Sequence, residues 1–188
     1  MAKSAVMPEP LQRMSRDEYR AWAVRQQSGR FERVNGVVVA MAPERAGHND
    51  RKMLAWLVLR RAVSEAGLPC HVYGDGMTVE VDDSDYEPDV VLHCGPELPD
   101  NALAVPDPLV IVEVLSPSTS GTDRAWKRGE YFRLASLRHY LIIWADKQQI
   151  VHHRRGDDGT IETRVLTGGT LRLEPPGIAV AIEDIYSP

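Results

Sequence analysis

The sequence predicts a mixed α/β (α+β) domain in which a central mixed β-sheet is flanked by helices and an N-terminal β-hairpin leads in. Three observations predict it. Asn35-Gly36 lies between two short apolar runs, the strongest local hairpin signal. Apolar residues recur with helical spacing from about His48 to Ala66, which marks a core helix. The run from Leu109 to Leu115 is apolar except at Glu113, the pattern of a strand buried on both faces.

Taken in order, residues 1–14 are punctuated by Met and Pro and are expected to be a flexible segment before a single domain over 15–188. Ser15 and Glu18 form a capping box that opens a helix to about Gln27. Phe31–Val34 and Val37–Met41 are the hairpin strands, the second ended by Pro43. Met53, Leu54, Leu57, Val58 and Val63 carry the core helix, and Gly67-Leu68-Pro69 stops it. Strand-like pieces at Cys70–Tyr73 and Met77–Val81 precede an acidic loop, Asp82 to Glu87, which feeds a strand beginning at Pro88-Asp89. After Leu115, Ser116–Thr119 end the strand, and Ser120 with Asp123 start a second helix running to about Ala135. Strands at Tyr140–Trp144, Gln149–His153 and Ile161–Leu166 make an antiparallel finish, with a turn over Gly156–Gly159.

With 188 residues and 43% apolar content the chain can bury a core without disulfides. Cys70 and Cys94 sit in apolar stretches with neither CxxC spacing nor a companion His pattern, so they are expected to be small core residues kept reduced in a cytosol. No apolar run reaches signal-peptide or membrane-span length, and a cytoplasmic protein with no membrane partner is expected. A net charge of −5 argues against coating nucleic acid by bulk electrostatics, but leaves room for a local basic patch. Arg124, Lys127, Arg128, Arg133 and Arg138 outnumber Asp123 and Glu130 in one stretch; they suit either a phosphate backbone or an ordinary solvated helix face. His152-His153-Arg154-Arg155 has no metal-ligand spacing.

Glu113 is the anomaly that points to chemistry, because a carboxylate inside an apolar strand needs a cation, a hydrogen-bond network or a metal to compensate it. Asp89 opens one strand just after a proline while Glu113 lies near the end of another. If those strands are neighbours, both carboxylates reach one edge of the sheet. Two carboxylates, a backbone carbonyl and waters suit Mg²⁺ or Mn²⁺, and such an ion suits phosphodiester hydrolysis. Ser116 and Thr119 have no nucleophile elbow around them and are expected to be turn and cap residues.

The segments FERVNGVVVAMAP with His48 after it, EPDVVL at 87–92, PLVIVEVLSPST at 108–119 and DRAWKRGEYFRLASLRHYLIIW at 123–144 resemble the Uma-two family, a branch of the PD-(D/E)XK nuclease superfamily. The resemblance covers roughly residues 15–185. It implies a restriction-endonuclease-like core, a DNA substrate, a divalent metal held by Asp89 and Glu113, and a homodimer. The superfamily lysine would fall at position 115, which is Leu115 here. The family pattern instead implies Lys127 on the following helix, where the alternative is an i, i+4 pair with Asp123. Glu32 is implied as an outer acidic metal ligand, His48 as a hydrogen-bonding group near the same edge, and Tyr131 as a support beneath the site. The competing expectation, favoured by Leu115, is a nuclease fold without turnover that binds nucleic acid or a protein partner.

Overall fold

The computed structural model describes residues 12–115 and 121–187, and of residues 121–125 the backbone alone. Helix α1 (Arg16–Ala23) begins on the expected capping box, with the Ser15 hydroxyl accepting from the Glu18 N–H and the Glu18 carboxylate accepting from the Ser15 N–H. It ends at Ala23 rather than Gln27: Val24 is exposed and no core contact carries the helix further. Arg13 bridges Val37 and Met14 donates to the Gly36 carbonyl, so the end of the segment expected to be flexible is tied to the hairpin. Strands β1 (Phe31–Val34) and β2 (Val37–Ala40) pair across Asn35-Gly36 as expected, with φ of 47° and 78°, the two left-handed positions of a type I′ turn.

Helix α2 (Ala46–Glu65) and β3 (Cys70–Gly74) come next, and β4 (Val79–Val81) turns into β5 (Ser84–Tyr86). The stretch expected to be an acidic loop therefore contains a strand, which joins β4 and the hairpin in a four-stranded sheet ordered β2-β1-β5-β4. Its acids are neutralised from elsewhere in the chain. Buried Arg33 donates to the buried Asp85 at 2.5 Å and to Asp83 at 2.6 Å, and Arg16 adds a bond to Asp85 at 2.7 Å.

Strands β6 (Val90–Cys94), β7 (Pro108–Leu115), β8 (His139–Trp144), β9 (Ile150–Arg155) and β10 (Ile161–Leu166), with β3, form a six-stranded sheet ordered β10-β9-β8-β7-β6-β3. Its one parallel pair is β7 and β8, joined by the crossover that holds α3 (Gly121–Tyr131). Helix α3 ends before the expected Ala135. Strand β7 alternates between two cores: Val110, Val112 and Val114 pack with Ala55, Val58, Leu59 and Val63 of α2, while Ile111 and Leu115 pack with Tyr131, Tyr140 and Ile142. Both faces are covered, which is why the strand reads as nearly continuous apolar sequence. A third, two-stranded sheet, β11 (Thr170–Leu173) with β12 (Ile178–Ala181), and helix α4 (Ile182–Tyr186) were not anticipated; they close the α2 side with Leu171, Leu173, Ile178, Val180 and Ile182. The turn and cap residues Ser116, Thr119 and Ser120, and the side chain of Asp123, lie outside the described residues.

The cysteines correct the sequence expectation. Cys70 and Cys94 are register partners on β3 and β6 and are joined in a disulfide. Antiparallel pairing brings two residues 24 positions apart face to face, which no local spacing announces. Among the described residues no helix is long and apolar enough to cross a membrane.

Candidate active site

Strands β6 and β7 are antiparallel neighbours with Val90 opposite Val112, so one further step sets Asp89 opposite Glu113 at the end of the ladder. Asp89 is buried and its Oδ2 accepts the Val114 N–H at 2.6 Å. Glu113 Oε1 accepts the Tyr131 hydroxyl at 2.9 Å and faces Lys127 Nζ at 3.4 Å. Lys127 also donates to Glu32 Oε1 at 3.0 Å, and Glu32 accepts the Glu87 N–H at 3.1 Å. The crossover puts α3 beside the end of β7, and Lys127 and Tyr131, one helical turn apart, share the face that meets Glu113. The sequence-expected residues Glu32, Lys127, Glu113 and Tyr131 are thus joined in one chain of contacts, with Asp89 just before the adjoining strand.

His48 also lies at this edge. Its Nε2 donates to the Val114 carbonyl at 2.6 Å and lies 3.9 Å from Asp89 Oδ2, while Nδ1 is 2.8 Å from Glu44. Sequence reasoning missed Lys52. Its ammonium, on a side chain only 3% exposed, lies 3.4 Å from Asp89 Oδ1, 2.9 Å from Asp75 and 2.5 Å from Glu44. Arg30 binds Asp75 in turn and reaches Glu87 at 3.0 Å. The signal was in the sequence: Lys52 falls in the stripe of Ala55, Leu59 and Val63, at i, i+3, i+7 and i+11, so it points into the protein with them and needs a buried partner.

The charges respond to this crowding. Burial pushes Glu113 up to about 7, with Lys127 opposing and Asp89 and Glu32 adding to the rise. Burial also raises Asp89 from its ordinary value, against the Val114 N–H and Lys52. Burial works against the charge of Lys52, but hydrogen bonds to Asp75 and Glu44 win and hold its pKa above the ordinary value. Burial would raise Glu44 too; bonds from Lys52, His48 and Asn49 instead hold it at about 2. Among the described residues no group of three or more His, Cys, Asp or Glu side chains forms a ready-made metal cage. What the site offers a cation is the Asp89–Glu113 pair, with Glu32 across Lys127.

Acids take part of the basic stretch: Arg133 pairs with Asp82 and Glu130, Arg138 with Asp157, and Lys127 belongs to the carboxylates. Arg128 is exposed, and the side chain of Arg124 lies outside the described residues. The His152–Arg155 run is structural. His152 lies 2.9 Å from His139, His153 2.8 Å from Thr163, and Arg155 donates to the carbonyls of Phe132 and Leu134. Burial holds all three histidines near a pKa of about 4, hence neutral.

Residues 16–183 match the model of the family Uma2, described as "putative restriction endonuclease". The chain belongs to the Uma2 family. Two uncharacterised proteins of Synechocystis sp. are similar to this Uma2 chain along most of their length. One is 26% identical over 180 residues, covering 94% of this chain and 93% of its own; the other is 27% identical over 151 residues, covering 79% and 85%. A crystal structure from Anabaena variabilis, described as a "putative nuclease belonging to DUF820", shares the fold with a TM-score of 0.74 at 15% identity, covering 93% of this chain and 98% of that one. Leu115, two residues after Glu113, is buried in the core cluster that holds Tyr131, and the ammonium at Glu113 comes from Lys127 on α3.

Proposed function

We propose that this Uma2 family member is a divalent-metal-dependent endonuclease that hydrolyses DNA phosphodiester bonds. The observation that carries the reading is the placement of Asp89 and Glu113 opposite one another at the end of adjoining strands, with Lys127 donating to Glu113 and Glu32. Asp89 and Glu113, with Glu32 as the outer carboxylate, would hold Mg²⁺ or Mn²⁺, since Mg²⁺ accepts one or two carboxylates and completes its shell with water and substrate phosphate. The bound ion would supply Lewis-acid polarisation of the phosphodiester and a water of lowered pKa. The protein's own groups do the positioning. The Tyr131 hydroxyl and the Val114 N–H fix the two carboxylates, Lys52 and His48 brace the Asp89 side, and Lys127 presents a compact cation that orients the attacking water and faces the charge developing on the phosphate.

A second reading, a nuclease fold that binds nucleic acid or a protein partner without turnover, is favoured by one observation: Lys52 and Lys127 already neutralise the carboxylates. Plasmid, single-stranded and branched DNA incubated with Mg²⁺ or Mn²⁺ should be cleaved, and Asp89→Ala should abolish the cutting. DNA bound but left whole by the wild type selects the second reading. Calorimetry should find Mn²⁺ bound by the wild type and not by an Asp89→Asn, Glu113→Gln chain; equal binding by both would remove the proposed metal site. A DNA substrate favours the cytoplasmic placement, a compartment where a disulfide such as Cys70–Cys94 is uncommon.

A further inference from the structure

Helix α2 carries a second stripe, opposite the face that holds Lys52, and its composition is unusual for a solvated surface. Met53 and Leu57 are each 54% exposed, and with Asp50, Leu54 and Trp56 they line a shallow groove of about 390 Å³. The exposed positions Ala46, Asp50, Met53, Leu57, Arg60 and Ser64 follow spacings of four, three, four, three and four residues, the seam of a helix that packs against another helix. The stripe is also a palindrome about Ala55. Small Ala46 mirrors small Ser64, acidic Asp50 mirrors basic Arg60, and apolar Met53 mirrors apolar Leu57.

We propose that this stripe is the contact face of a homodimer in which the α2 helices of two copies cross antiparallel about a twofold axis at Ala55. A twofold contact requires a patch complementary to itself, and a palindrome of opposite charges around an apolar centre is such a patch. Met53 of each copy meets Leu57 of the other in the groove, the small ends let the helices approach, and Asp50 of each copy meets Arg60 of the other twice over. Neither Asp50 nor Arg60 has an ion-pair partner among the described residues, whereas neighbouring Arg61 is taken by Asp184 at 2.6 Å. Arg60 lies over the Trp56 ring, 5.0 Å from its centroid, and so stays at the rim of the groove. A parallel pair would set Asp50 against Asp50 and Arg60 against Arg60, which selects the antiparallel sense. The inference uses none of the nuclease chemistry and stands apart from it.

Sedimentation equilibrium of the full chain from about 1 to about 100 µM tests it. The wild type should be a dimer. Leu57→Asp should weaken dimerisation roughly 100-fold by placing a charge in the apolar centre. Asp50→Arg and Arg60→Asp should each weaken it roughly tenfold by setting like charges opposite one another, and the double reversal should restore wild-type affinity to within roughly threefold. All three substitutions are at exposed positions, and unchanged circular-dichroism melts will confirm folding. A wild type that stays monomeric overturns the proposal and leaves the stripe to a different protein. A dimer indifferent to Leu57→Asp, or a double reversal no better than the single ones, overturns it as well.

Discussion

Lys52 and Lys127 divide the buried carboxylates between them, and their removal should have different consequences. Lys127→Met leaves Glu32 with the Glu87 N–H and Glu113 with Tyr131, so the fold should persist while DNA cleavage falls by roughly 10²-fold. Lys127→Arg should rescue poorly, because a planar fork does not replace a compact ammonium. Lys52→Met strips Asp75, Glu44 and Asp89 of a shared buried cation and should lower unfolding free energy in urea by about 3 kcal/mol. Unchanged stability would mean that Lys52 does not hold Asp89. Glu113 gives a pH test. Its folded pKa, about 7, lies above the ordinary 4.5, so its ionisation opposes folding. The penalty is absent below the unfolded value, grows as pH rises from 4.5 to about 7, and is complete above that. Glu113→Gln should therefore raise the melting temperature more at about pH 8 than at about pH 5; an equal gain at both would contradict the shift. Asp89 and Glu113 could be found in the sequence because a carboxylate in or beside an apolar strand is conspicuous. Lys52 escaped because a long amphipathic helix hides one charge on its inner face unless every position is assigned a direction.

At the scale of elements, local chemistry was legible wherever the local rule decides the outcome. The Asn35-Gly36 turn and the Ser15–Glu18 box formed as expected, since each is specified by residues at most three positions apart. Gly36 has φ 78°, and a Cβ there would lie 3.0 Å from Asp83 Oδ2 and 3.1 Å from Arg13 Nε. Gly36→Ala should cost about 1 kcal/mol and lower the melting temperature by roughly 3 °C. An unchanged melt would show that the turn tolerates a side chain. Strand β5 was not legible, because its acids look like a solvated loop until Arg33 and Arg16, more than fifty positions earlier, are brought against them. Strands β11 and β12 are four residues each, too short for alternation to stand out.

For the whole molecule, the fold class followed from a few strong signals, but the pairings that complete it connect distant residues. The Cys70–Cys94 bond is one of them. In a chain-entropy view, a closed loop of this length stabilises by about 3 kcal/mol, so reductant should lower the urea midpoint of the wild type. A Cys70→Ser, Cys94→Ser chain should match the reduced wild type in or out of reductant, and equal midpoints for oxidised and reduced wild type would show that the bond contributes nothing. The site has the same long-range character. Glu32 and Lys127 touch across 95 positions of chain, and between them lie Lys52 on α2, Asp89 just before β6 and Glu113 on β7. Joining them requires that loop to close and both sheets to be in place first. A chain stalled partway through synthesis, or cut short anywhere before α3, therefore has no assembled pocket. For a protein whose proposed task is to break DNA, the order of assembly is itself a safeguard: only the finished molecule is armed.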